Sequence, residues 1–340
     1  MTPAKRICIG QLGIGHNHGS GKMAALRKLT DHFEVVGVAE PDPEWRAKRE
    51  GDPAYKGLPW LSEEELLSME GLDAVAVETD VPELIPAAKR CLEAGLHIHL
   101  DKPGGEAMGP FRETLELADR KELIVQMAYM YRYTPAIQLC VRAVREGWLG
   151  RVFEVHAVMS RMDGMDYRQW LRQFRGGAMY IFGCHLIDLV VSMLGAPDRV
   201  TPYLRRTWHE KDDLFDNGLA VLEYPHATAT VRTSVVEVEG FRRRQLAVCG
   251  DKGSFEIQPL EHNGPNPKEA VVRLTLAEPC GGYEPGCHEF EMPTPKGRYD
   301  AQLIDFAEMI RGQKPNPYPS SHELVVQEAT LDASGWQVPW

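Results

Sequence analysis

Residues 1–125 alternate between two hydrophobic periods, and that alternation constrains the fold more than any other feature of the chain. Short β-branched runs at 7–9, 33–39, 73–77, 97–100 and 123–125 are separated by stretches of helical period. The helical stretches carry recognisable ends. Ser62-Glu63-Glu64-Glu65 is a capping box ahead of Leu66-Leu67. Asp80 heads the segment 81–94, which stops at Gly95, where a left-handed residue is expected. Gly109-Pro110 opens a further helix, with proline in the first turn where its missing N–H does no harm. Strand–helix–strand repetition of this kind predicts a parallel sheet covered by helices on both faces.

Beyond residue 126 the pattern changes. Helical segments at 135–146 and 179–194 end at Gly147 and Gly195, and strand runs follow at 152–160, 219–224, 227–236, 246–248, 255–257 and 271–276. Short turns such as Tyr224-Pro225-His226 and Gly250-Asp251-Lys252-Gly253 join consecutive strands, which predicts a large open sheet, antiparallel or mixed. Two helices close the chain at 299–311 and 320–333, the second with Ser320 and Glu323 spaced as a capping box, while 258–298, rich in Pro and Gly, is expected to form surface loops. The expected organisation is an α/β domain over 1–125 and an α+β domain over 126–340, in keeping with a chain of 340 residues.

Lys plus Arg number 38 against 49 Asp plus Glu, a net charge of −11, which argues against a nucleic-acid coat and leaves small neutral or sugar-like substrates open. The hydrophobic fraction of 43% and charged fraction of 26% are those of a globular protein. Residues 1–6 run directly into the first strand without a basic-then-apolar leader, and the longest apolar stretch, 181–194, contains His185 and Asp188 and is too short to span a bilayer. Seven widely spaced cysteines do not form a disulfide pattern. A reduced, cytoplasmic protein with no nucleic-acid or membrane partner is expected.

Three places could carry chemistry. Gly13-Ile14-Gly15-His16-Asn17-His18 follows the first strand directly. A glycine bend between strand and helix brings backbone N–H groups to a diphosphate at the positive helix end; it also occurs as an ordinary turn, and both readings stand. Glu40, 25 residues after Gly15, is placed to grip a ribose 2′-hydroxyl and to repel a 2′-phosphate, favouring NAD over NADP; as a single residue it reads equally as a solvated loop acid. Asp101-Lys102-Pro103 ends the fourth run, where Lys102 is either exposed surface or a ligand of a substrate hydroxyl at the carboxyl edge of the sheet. The segment from Gly176 to Asp188 reads as a glycine loop feeding an apolar helix, with His185 either a satisfied core residue or an acid/base, and Asp188 one turn away either orienting it or making a packing contact. His16/His18 and His97/His99 are i,i+2 pairs without the spacing of a zinc site, so no metal is expected. No Gly-x-Ser-x-Gly elbow or Walker loop occurs.

In this order and spacing the three features resemble the Gfo/Idh/MocA oxidoreductases, the family of glucose–fructose oxidoreductase and inositol dehydrogenase. Tyr131-Arg132-Tyr133-Thr134-Pro135, Gly147-Trp148-Leu149-Gly150 and Asp305-Phe306-Ala307 also look like family landmarks. The resemblance implies an amino-terminal Rossmann domain holding the nicotinamide cofactor and a second domain for substrate and oligomerisation. The activity implied is hydride transfer at a secondary carbinol of a sugar, cyclitol or sugar derivative by a homodimer or homotetramer. By position, Lys102 would bind the reacting hydroxyl and His185 would be the acid/base. Gly13, Gly15, His16, Asn17, His18, Glu40, Thr79, Asp101 and Lys102 would hold the cofactor. Tyr167, Trp170, Arg172 and Tyr180 are candidate substrate contacts. This chain departs from the family pattern in having His18 for the third glycine, Asp101 for the glutamate of the lysine motif, and Ile181 for an aspartate four residues before the histidine. The last departure leaves two alternatives open: a dinucleotide-binding sensor without turnover, and retained-NAD elimination or glycoside cleavage without net redox.

Overall fold

The computed structural model describes residues 5–261, 270–295 and 297–336. They divide into two compact units, 5–130 with 297–324, and 131–261 and 270–295 with 325–336.

In the first unit β1 (Ile7–Leu12), β2 (Phe33–Ala39), β3 (Trp60–Leu61), β4 (Ala74–Val77), β5 (His97–Leu100) and β6 (Val125–Met127) alternate with helices. The helices are α1 (Gly19–Lys28), α2 (Pro43–Arg49), α3 (Glu63–Leu67), α4 (Leu84–Glu93) and α5 (Met108–Arg120). All six strands pair in parallel in the order β3-β2-β1-β4-β5-β6. A parallel sheet is covered on both faces, which is why every residue of β4 is buried and apolar. The order of the strands reverses between β1 and β4, and the crevice outside the carboxyl ends at such a switch point is where doubly wound sheets take their ligands.

The helix ends obey the sequence. Ser62 and Glu65 form the reciprocal capping box, Asp80 caps a short 3-10 turn (Val81–Glu83) ahead of α4, and Gly95 takes φ +84°. The two-residue strand β3 was not expected; it is too short to show a period.

The second unit holds α6 (Pro135–Arg145), β7 (Val152–Ser160), α7 (Met165–Leu171) and α8 (Cys184–Leu194). Seven strands follow: β8 (Arg199–Arg205), β9 (Asn217–Glu223), β10 (Thr228–Ser234), β11 (Gln245–Gly250), β12 (Gly253–Ile257), β13 (Ala270–Leu276) and β14 (Gly286–Met292). With β7 they form one eight-stranded sheet, β14-β13-β12-β11-β7-β10-β9-β8. It is antiparallel except where β7 meets β10. Alternate residues of β9 (Gly218, Ala220, Leu222) are buried, and α8 packs on β7 and β10. β8 and β14 fill stretches where no strand was expected, β14 inside the proposed loop region; residues 262–269 and 296 of that region lie outside the described residues. Both are edge strands, where the proline of β8 and the charges of β14 are tolerated.

The helix α9 (Asp300–Ile310) returns to the first unit, where Leu303, Phe306, Ala307 and Met309 share a core with Ile7, Ile9, Ala74 and Ala76. α10 (Ser320–Ala333) follows it. Among the described residues no helix is long and apolar enough to cross a membrane, and all seven cysteines are free thiols.

Candidate functional site

At the end of β1 the chain turns through Gly13 at φ +90°, where an added Cβ would stand 2.3 Å from the backbone nitrogen of Thr79. At Gly15 an added Cβ would meet the nitrogen of Asp80 at 2.8 Å. The two glycines thus let the bend lie against the segment that follows β4. Gly13 N donates to Ala39 O (2.7 Å), Ile14 N to Glu40 Oε2 (2.6 Å) and His16 N to Glu78 O (2.9 Å). Arg49 braces the bend by donating to Ile14 O, His16 O and Asn17 Oδ1. Several of the N–H groups expected to face a diphosphate are therefore engaged within the fold. What the bend offers an anion is the amino end of α1, which has no acidic residue in its first turn and no side-chain cap.

Glu40 directly follows β2 and is nearly buried. Burial pushes its pKa up against the N–H groups of Ile14 and Asp42, which donate to its two oxygens at 2.6 and 2.9 Å. Its first task is to hold the bend, where the N–H of Gly15 also acts on it, and a carboxylate has about four lone-pair sites, so one remains for a hydroxyl. With the switch point, the close-packed glycines and the open helix end, these residues fit a dinucleotide.

Beneath the bend lies a polar cluster that sequence reasoning saw only in part. His18 Nδ1 lies 3.0 and 3.2 Å from the two oxygens of Asp101, and His16 Nδ1 lies 3.4 Å from Asp101 Oδ2. Lys22 is fully buried, 3.7 Å from Glu78 Oε1 and over the Tyr299 ring. Its ammonium donates to His99 Nε2 (2.6 Å), so the hydrogen of His99 sits on Nδ1 and is donated to Gln126 Oε1 (2.7 Å). Burial lowers the pKa of Lys22 and drives those of His16 and His99 well below the ordinary histidine value. Burial and the Asp101 charge hold Glu78 well above the usual carboxylate range. Burial would also raise Asp101, but His16, His18 and Lys22 outweigh it and hold that carboxyl well below its usual value.

His16, His18 and Asp101 bring three ligand-type atoms within 4.8 Å of one another. The charges of Lys22, Lys102 and Arg298 act at the two imidazoles, a field that disfavours a divalent cation and favours an acid–base role for the cluster.

Lys102 is buried at the carboxyl edge of the sheet, not exposed, and its N–H donates to Asp101 Oδ1 at 2.7 Å. Thr79, on the segment after β4, is buried against Gly13, and Asn17 is exposed.

In the second unit residues 179–183 form a π-turn that runs into α8, so the helix expected over 179–194 has two parts. His185, Tyr180 and Ile181 are buried on it, and the Tyr131 ring meets the His185 ring edge-on at 5.6 Å. Asp188 is paired with the buried Arg132, whose Nε and Nη2 donate to its carboxylate at 3.0 and 2.5 Å. Tyr167 and Trp170 lie together on α7, with Tyr167 stacked on Phe182. Arg172 pairs with Asp213 at the surface.

Comparison with known proteins agrees with this architecture. Residues 7–129 match the model described as "Oxidoreductase family, NAD-binding Rossmann fold", and residues 137–256 match the "GFO/IDH/MocA C-terminal domain". The oxidoreductase YhhX of Escherichia coli is 29% identical over 238 residues, 67% of this chain and 64% of its own length. The D-apiose dehydrogenase of Paraburkholderia graminis is 23% identical over 268 residues, 75% of this chain and 68% of its own. The crystal structure of aldose–aldose oxidoreductase from Caulobacter crescentus, complexed with glycerol, superposes with a TM-score of 0.78 at 20% identity, covering 97% of this chain and 98% of that one. A strand order that reverses beside a glycine bend, a buried lysine at the sheet edge, and family matches to both halves identify the chain as an oxidoreductase of the Gfo/Idh/MocA family.

Proposed function

We propose that this enzyme transfers hydride between NAD and a secondary hydroxyl or keto group of a sugar, cyclitol or sugar derivative. The observation that carries the reading is Lys102, buried directly after Asp101 at the carboxyl edge of β5. An ammonium in that position is costly to bury and is retained where a ligand oxygen needs it. Printed names among the relatives support the substrate class, since one is a D-apiose dehydrogenase and one structure an aldose–aldose oxidoreductase. Glu40 supports NAD, because a 2′-phosphate would meet its carboxylate.

When bound, the nicotinamide supplies the hydride acceptor. Lys102 donates a hydrogen bond to the reacting oxygen and His185 accepts its proton; in reduction both steps reverse. Gly13, Gly15, His16, Asn17, His18, Glu40, Thr79 and Asp101 form the cofactor side. Tyr167 and Trp170 offer ring faces suited to the C–H face of a sugar, with Arg172 and Tyr180 the remaining candidate contacts. The free thiols are in keeping with a cytoplasmic enzyme.

Purified protein with NAD and a panel of polyols and aldoses, followed at the nicotinamide absorbance, tests the reading. Turnover on one of them is expected, with Lys102→Ala and His185→Ala each lowering kcat by about 10²–10⁴-fold. Normal rates in both variants would sink it. Binding of NAD with no reduction across the panel would favour a second reading, a dinucleotide-dependent regulator, for which the apolar Ile181 speaks. The half-buried face of the eight-stranded sheet is proposed to associate copies of the chain. Light scattering after gel filtration should give twice or four times the chain mass, and a monomer mass refutes that association.

A further inference from the structure

Each turnover of the reaction proposed above must exchange one proton with water, and the two side chains assigned to it have almost no access: Lys102 is 3% exposed and His185 2%. The first unit holds an imidazole that is both anchored and wetted. His18 is 21% exposed, and its Nδ1 faces the carboxylate of Asp101, the residue next to Lys102. An ionised carboxylate only accepts, so the ring hydrogen sits on Nδ1 and the lone pair on Nε2, which bonds no described residue. A buried aspartate that fixes a histidine tautomer in this way leaves the far nitrogen ready to take a proton. His18 also stands where the usual fingerprint has its third glycine, yet its φ of −92° requires no glycine. The side chain is therefore not tolerated strain; the backbone leaves room for it.

We propose that His18, oriented by Asp101, is the proton exit of the active site, carrying the proton between Lys102 and water. The inference rests on the reading of Lys102 given above. In the oxidative direction the substrate O–H proton goes to His185 as the adjacent C–H bond gives up its hydride. The Lys102 ammonium gives one N–H proton to His18 Nε2, directly or through one water. The amine so formed is refilled by the proton that left the reacting oxygen, and His18 releases its own to solvent. One carbonyl, one reduced cofactor and one free proton result, and every side chain ends as it began.

The groups around His18 suit this task. Asp101 faces it from the end of β5, the His16 ring lies 4.7 Å away on the same bend, and the Tyr299 ring lies 5.9 Å away ahead of α9. The Lys102 and Arg298 charges also act on it. Burial, aided by these cations and opposed by Asp101, lowers the pKa of His18, so the lone pair is available at neutral pH.

The test compares wild type with His18→Asn and His18→Ala. At saturating dinucleotide kcat should fall about 10–100-fold, with any change in dinucleotide Kd measured separately. The acid limb of the kcat/KM profile should lose the component set by His18 in both variants, leaving that of His185, and added imidazole should restore part of the rate to His18→Ala. Unchanged kcat, or binding and turnover lost together with no rescue, overturns the proposal. So does nitrogen NMR that finds the hydrogen of His18 on Nε2, a measurement that needs no turnover. A wild type that reduces no NAD on any substrate refutes the functional reading itself, and the exit with it. Turnover that ignores His18 refutes the exit alone.

Discussion

A Gly13→Ala protein is expected to lose dinucleotide binding and about 2–6 kcal/mol of stability together. Alanine at φ +90° costs about 1–3 kcal/mol, and forcing its Cβ against the Thr79 backbone adds a similar amount. The neighbour at 2.3 Å is a main-chain nitrogen. No rotamer change relieves the contact; the bend must lift away from the end of β4. That movement would carry off Ile14 N, which holds Glu40, and the peptide of His16, which is tied to Glu78. Urea denaturation and an NAD titration measure both effects. Gly51→Ala serves as the control, since nothing lies within 4 Å of its Cβ position, and should stay within about 0.5 kcal/mol of wild type. Wild-type stability in Gly13→Ala would show that the bend does not need its close approach.

Acid is expected to destabilise the first unit steeply below pH 6.5. His16, His18 and His99 are depressed by burial from the ordinary value of 6.5, two of them far below it. Above that value both states hold these rings neutral. Below it the unfolded chain binds protons that the native chain takes up only at lower pH, at His16 and His99 above all and to a lesser degree at His18 and His97, so stability falls as pH falls. Glu78 acts in the opposite sense: its raised pKa lets the native state keep a proton that the unfolded chain releases above 4.5. Near pH 5 the imidazoles still outnumber Glu78, so the unfolded state binds more protons and each proton of difference adds about 1.4 kcal/mol per pH unit to the slope. Urea midpoints between pH 7.5 and 5 measure it, and His99→Gln should remove one proton from the slope. A flat profile over that range would contradict the neutral, buried imidazoles.

Local physics made the first sheet legible. Ser62, Asp80, Gly95, Gly147 and Gly195 mark element ends through caps and left-handed turns, which depend on a few adjacent residues. Strand periods carried the order of elements to residue 125, and the family landmarks drew attention to Lys102 and His185, both of which the structure buries. Non-local facts stayed hidden. Lys22 sits in a helix of ordinary polar composition, and nothing in its neighbours announces that its ammonium lies between Glu78 and His99. Asp101 meets His18 across 83 positions of sequence. The return of α9 to the core of the first unit shows only in space, since its apolar residues would suit either unit. β8 reads against a strand because of its proline and arginines, and only its place at an edge excuses them.

The π-turn over 179–183 changes how positions along that helix are to be counted. A π-turn closes its ring one residue later than an α-turn, so each passage through it adds a residue to the helical circuit. Counting back from His185 therefore has to allow for the five residues of the π-turn, among which Ile181 sits. Insertions and deletions within those five residues would swing the imidazole around the helix axis by a large fraction of a revolution. For this segment, chain length is itself a determinant of chemistry, and a substitution table that ignores it will misassign which side chain looks at the histidine.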